Sequence, residues 1–122
     1  MLRRNIGLSF RDAVSGLWYC LRTQQNMQAH AAALVLVLAA SWLLRLDLVE
    51  WVLVIGAASF VLVAEMFNTA IERTVDLFVD TYHPLARLAK HIAAGAVLIS
   101  ALNAAAVGVL VFLPHLLQLI MK

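Results

Sequence analysis

One segment of the chain gathers residue types that can do chemistry: Glu65-Met66-Phe67-Asn68-Thr69-Ala70-Ile71-Glu72-Arg73-Thr74-Val75-Asp76. In a helix turning by about 100° per residue, Glu65, Asn68, Glu72 and Asp76 fall on one face. Glu65 and Glu72 are then about 10 Å apart along the axis. A carboxylate on such a face can take a proton from a hydroxyl, and others can hold a divalent cation through oxygen. Leu85-Ala86-Arg87-Leu88-Ala89-Lys90-His91 follows and supplies a lysine. Carboxylates with a lysine at a lipid–water boundary suit phosphoryl transfer to a lipid hydroxyl. Cation and lysine neutralise phosphate charge, and a carboxylate takes the hydroxyl proton. The blander alternative is that Glu65 and Asn68 bond to neighbouring helices while the rest is a solvated helix end.

The elements that must position these residues are membrane helices. The chain has 122 residues, 64% of them hydrophobic, and a mean hydropathy of +0.91. Soluble domains run at about 45–50% apolar, so a bilayer is the natural solvent. The expected fold is all-α and integral to the membrane, a single domain over 1–122. An amphipathic interfacial helix is expected over about 6–22, where Phe10, Val14, Leu17, Trp18 and Leu21 recur at helical spacing between Arg11, Asp12, Ser15 and Arg22. A first span follows over 29–46. A second span with a cytoplasmic extension covers 51–79. Tyr82-His83-Pro84 breaks the pattern. A third helix and span covers 85–113, with Pro114 at its end. Glu65 directly follows the apolar run from Trp51 to Ala64, at or just inside the bilayer boundary. An ionisable residue there is costly and points to function.

Seven of the nine basic residues, Arg3, Arg4, Arg11, Arg22, Arg73, Arg87 and Lys90, fall on one side of these spans. Arg45 and Lys122 fall on the other. The N-terminus and the loop between spans two and three are therefore expected in the cytoplasm. The basic residues are too scattered for nucleic-acid binding. Arg3 and Arg4 are not followed by an apolar core with a cleavage site, so no cleaved leader is expected. Cys20 is the lone cysteine and reads as a small apolar residue. Ala94, Gly95, Ala104 and Gly108 would permit close helix packing, and Asn103 an interhelical hydrogen bond. His30 fits an interfacial, hydrogen-bonded position and His83 a turn. His115 belongs to the opposite side of the membrane, so the three do not form a metal cluster.

The sequence resembles the bacterial diacylglycerol kinase / undecaprenol kinase family over nearly its whole length. The resemblance rests on Glu65-x-x-Asn68-Thr69-Ala70-Ile71-Glu72 followed by Asp76, on His83-Pro84-Leu85-Ala86 with Ala89-Lys90, and on Ala93-Ala94-Gly95-Ala96-Val97. Asn26-x-x-x-His30 and Glu50-Trp51 also fit. The wording is nearer the undecaprenol-kinase branch. The resemblance implies a homotrimer of three-span protomers in the bacterial cytoplasmic membrane, with sites between protomers and Mg-ATP as phosphoryl donor. It makes Glu65 the general base and Asn68 a positioning group. Glu72 would bind the metal and Lys90 the transferred phosphate. Asp76 matches a recurrent acidic position on the nucleotide side.

Two positions depart from the family pattern. Gln24 stands where the family has a metal-binding glutamate, and His91 where it has an aspartate. Gln24 keeps an oxygen ligand without the charge that holds a hard cation. His91 with Glu72 would favour a transition metal over magnesium. Both replacements remove negative charge from the nucleotide side and leave the lipid side intact. An ATP-dependent lipid kinase is the leading expectation. Two alternatives stay open: a relative turned to lipid-phosphate hydrolysis, with His91 as nucleophile or acid beside Lys90, and a non-catalytic membrane protein that keeps the scaffold.

Overall fold

A computed structural model describes residues 5–122. Arg3 and Arg4, which enter the charge asymmetry, lie outside the described residues. The chain forms four helices: α1 (Ile6–Thr23), α2 (Gln25–Leu43), α3 (Leu48–Phe78) and α4 (Pro84–Ile120). The last three are long and apolar enough to cross a membrane.

In α1, Asn5 caps the start, its side chain accepting from the Gly7 amide at 3.2 Å. Ile6, Phe10, Val14, Leu17 and Trp18 are exposed, while Cys20 is buried. An apolar face turned away from the protein is what an interfacial helix offers to lipid. A single extended residue, Gln24, separates α1 from α2. The Gln28 amide donates back to the carbonyls of Leu21 and Arg22 at 3.1 and 3.3 Å, serving the unpaired end of α1. The first span therefore starts at Gln25 rather than 29, because Gln25, Asn26 and Gln28 are polar but helical. It ends at Leu43 rather than 46.

That ending is a Schellman turn. The Arg45 amide donates to Trp42 at 3.2 Å and the Leu46 amide to Ser41 at 3.1 Å, with Arg45 at φ 55. Asp47 then caps α3 in a reciprocal box. Its side chain accepts from the Glu50 amide, and Glu50 Oε2 accepts from the Asp47 amide, both at 2.9 Å. The box starts α3 at Leu48 rather than 51. At the far end, His83 Nδ1 accepts from the Leu85 amide at 3.2 Å, and Pro84 occupies the first turn of α4, where no donor is needed. His83 is the turn residue its position before proline implied.

Helix α4 runs through Pro114 to Ile120, where an end at 113 was expected. A proline costs one backbone bond, and packing at this point offsets it. His115 Nε2 lies 3.0 and 3.1 Å from the two Glu50 carboxylate oxygens. Val111 packs in a small core with Leu46 and Val54, flanked by Phe112 and Trp51. The last turns of α4 are thus tied to the first turn of α3.

Helices of 19, 31 and 37 residues measure about 28, 46 and 56 Å, against a hydrocarbon core of about 30 Å. α2 just spans, while α3 and α4 project beyond. α3 and α4 form the most extensive helix pair. The small residues do not make that pairing close: a Cβ added at Gly95 or Gly108 meets nothing within 4 Å. Asn103 is exposed and makes no side-chain hydrogen bond among the described residues of the single chain. Glu50 serves both the cap of α3 and the end of α4. Glu50→Ala should therefore lower stability by about 1–3 kcal/mol without preventing membrane insertion, as measured by unfolding of the solubilised protein.

Candidate active site

Glu65 lies about 26 Å along α3 from Leu48, near the far edge of the hydrocarbon core. It is 2% exposed. Its Oε1 is buried and makes no hydrogen bond. His30 Nε2, from α2, stands 3.4 Å from that oxygen but is not aligned for a bond. The Thr69 hydroxyl donates to the Glu65 carbonyl at 2.9 Å, closing the turn between them.

One turn on, Asn68 is 9% exposed. Its Nδ2 donates to Glu72 Oε1 at 3.3 Å, while its Oδ1 is buried without a partner. Leaving a buried acceptor unpaired costs about 1–3 kcal/mol. Two such oxygens on adjacent turns mark a place able to receive donors from a ligand. Asn68 lines an apolar cavity of about 430 Å³ between α3 and α4, with Phe60, Val63, Ile99 and Ser100. Glu72, half-buried, follows toward water. Beside it, the Arg73 guanidinium lies 5.7 Å from the Tyr19 ring centre and ties α1 to α3.

Farther out, Lys90 of α4 pairs with Asp76 of α3. The pair borders a second cavity of about 210 Å³, which Arg87 and His83 also line. Its side chains are 37% and 52% exposed, so water screens the attraction and the pair adds little to stability. The structure therefore brings Glu65, Asn68, Glu72, Asp76 and Lys90 into one ascending series, from buried and dry to charged and exposed. Gln24 sits at the α1–α2 break, half-buried, its amide donating to the Thr23 hydroxyl at 2.9 Å. His91 is exposed and makes no hydrogen bond or ion pair among the described residues, despite adjoining Lys90.

No group of three His, Cys, Asp or Glu side chains among the described residues could hold a metal ion. Magnesium does not require one, since it is bound through one or two carboxylates, waters and substrate phosphates. Glu72 and the Gln24 amide each carry an oxygen donor of that hard type, Glu72 Oε1 accepting from Asn68 and Gln24 standing at the α1–α2 break. Two residues adjoining these side chains escaped the sequence reading of the site. Arg87 lies one helical turn before Lys90, a spacing that could have signalled it. His30 was placed only as a hydrogen-bonded interfacial residue, because its proximity to Glu65 is a tertiary contact.

The profile of prokaryotic diacylglycerol kinase matches residues 11–112. The chain belongs to that family. It is thus a membrane lipid kinase by class, with ATP as co-substrate. It is 44% identical over 108 residues to an undecaprenol kinase of Bacillus subtilis, covering 88% of each chain. It is 41% identical over 116 residues to a diacylglycerol kinase of Synechocystis, covering 94% of this chain and 66% of that one. A diacylglycerol kinase of Escherichia coli is 38% identical over 73 residues, 60% of this chain and 59% of that one. The two members of the Lys90–Asp76 pair have distinct expected consequences. Lys90→Gln and Asp76→Asn should each change stability by less than about 1 kcal/mol, and Lys90→Gln should weaken ATP binding several-fold (roughly 1 kcal/mol or more). Thermal unfolding and nucleotide titration of the two variants check this.

Proposed function

We propose that the chain transfers the γ-phosphoryl group of ATP to the hydroxyl of a membrane lipid, undecaprenol before diacylglycerol, at the cytoplasmic face of the bacterial cytoplasmic membrane. The observation that carries this is the buried Glu65 carboxylate at the end of an apolar span, one turn from the unpaired Asn68 oxygen. Undecaprenol is favoured by the Bacillus relative, whose similarity runs over 88% of both chains.

In this reading the lipid hydroxyl reaches Glu65 from the membrane, and Glu65 takes its proton as the oxygen attacks. Asn68 orients the hydroxyl and, through Nδ2, the Glu72 carboxylate. Lys90 and Arg87 neutralise phosphate charge on the water side, with Asp76 holding Lys90 in place. Glu72, assisted by Gln24, would hold magnesium, which supplies charge neutralisation on the phosphates when bound. His91 belongs to the nucleotide side by its place beside Lys90. Its exposed ring without a polar partner gives no support to lipid-phosphate hydrolysis.

The working unit is a homotrimer. One protomer leaves Leu98, Ile99, Leu102 and Leu110 of α4 exposed, and Asn103 among them lacks a bond. The open space at Gly95 and Gly108 admits a neighbouring helix. The N-terminus is cytoplasmic in this reading, supported by the excess of basic residues on the side of Glu72 and Lys90.

Glu65→Gln should abolish transfer to undecaprenol while leaving insertion and oligomer size unchanged. Near-native turnover would reduce Glu65 to a structural group. The double change Gln24→Glu with His91→Asp should raise transfer, on the order of 100-fold, by returning charge to the metal and nucleotide side. High native activity that falls on this change would show that His91 serves a nucleotide site of its own.

A further inference from the structure

Glu65 is served by a residue on another helix. Its side chain is 3% exposed, and its Oε1 lacks any hydrogen bond. A carboxylate in such a place is stable as an anion only if a donor is close. The side chain that approaches it is His30, Nε2 at 3.4 Å, with the ring 30% exposed. No other ion-pair partner reaches Glu65, and no other carboxylate reaches His30, among the described residues. His30 stands in α2 and Glu65 in α3, so their contact also sets how these helices meet.

We propose that His30 is the positioning residue for Glu65. This rests on the kinase reading above. Its Nε2–H donates to Glu65 Oε1 once a lipid closes the site, a small ring rotation supplying the alignment the free protein lacks. Catalytic hydrogen bonds are often long before substrate binds. The donation fixes the carboxylate's orientation and directs its other oxygen to the lipid hydroxyl. The hydroxyl proton then moves to that oxygen as the new oxygen–phosphorus bond forms. The bond from the γ-phosphorus to the bridging oxygen breaks, and ADP leaves with the electron pair. His30 neither gains nor loses a proton in this step. Its ring is 30% exposed, while the carboxylate is buried. His115, the other histidine paired to a glutamate, sits with Glu50 at the opposite end of the molecule and takes no part.

The test uses the full chain in bilayer discs, with native protein, His30→Leu and His30→Gln assayed for transfer from ATP to undecaprenol. His30→Leu, which keeps bulk but not the donor, should lower kcat roughly 10- to 100-fold with KM for ATP little changed. His30→Gln, which restores an N–H donor, should recover a large part of the loss. Equal activity of native and Leu forms would overturn the proposal. So would a Gln form as slow as the Leu form, or an effect confined to KM. A second measurement stands independently of activity. In ¹⁵N-histidine-labelled native protein, the Nε2 resonance missing from His30→Gln is that of His30. It should move in Glu65→Gln with lipid alcohol present, and an unmoved resonance would overturn the proposal. If native protein transfers no phosphoryl group, the kinase reading fails while this resonance still reports on the pair.

Discussion

A buried carboxylate at the edge of a bilayer is the constraint on which the rest depends. Glu65 has almost no contact with water, and its charge is costly there unless neighbouring groups support it. Asn68 and His30 surround it with polar atoms that are not fully bonded to one another. In the proposed reading a lipid hydroxyl is the ligand, bringing a proton to the carboxylate while its tail lies in the apolar cavity that Asn68 borders. The charged groups follow in order of wetness. Glu72 is half-buried, and the Lys90–Asp76 pair is exposed enough to exchange partners with a phosphate at little cost.

The far end of the molecule is built to hold this end in register. The Asp47–Glu50 capping box fixes the start of α3, and the His115–Glu50 contact fixes the end of α4 against it. The distance from that clamp to Glu65 is set by the helix rise, about 26 Å, so the clamp fixes the depth of the carboxylate in the membrane. The left-handed Arg45 lets α2 turn back tightly into the same clamp. Most of the apolar surface of the spans remains open in one protomer. A trimer would cover part of it and bring the unbonded Asn103 to a partner.

Much of this architecture was legible in the residues. Three spans and an interfacial helix followed from apolar run lengths and from the spacing of Phe10, Val14 and Trp18. The one-face arrangement of Glu65, Asn68 and Glu72 followed from helical geometry, and the Asn68–Glu72 bond reflects it. Local signals misled where a distant partner decided the outcome. Pro114 reads as a stop, but His115 finds Glu50 sixty-five positions away and the helix continues. His30 carries no local mark of its nearness to Glu65, since only the packing of α2 on α3 creates it. The Asn-Thr-Ala-Ile-Glu segment, one of the motifs that suggested the prokaryotic diacylglycerol kinase family, lies in the part of α3 where the burial gradient lies, within the matched residues 11–112.

The central claim is that a lipid alcohol and ATP meet across Glu65. Purified protein in bilayer discs, given γ-labelled ATP and in turn undecaprenol, diacylglycerol and a water-soluble alcohol, tests it most directly. The account predicts label in the lipid fraction, strongest as undecaprenyl phosphate and absent from the soluble alcohol. Release of label only as inorganic phosphate, or no labelled lipid with any alcohol, would contradict it.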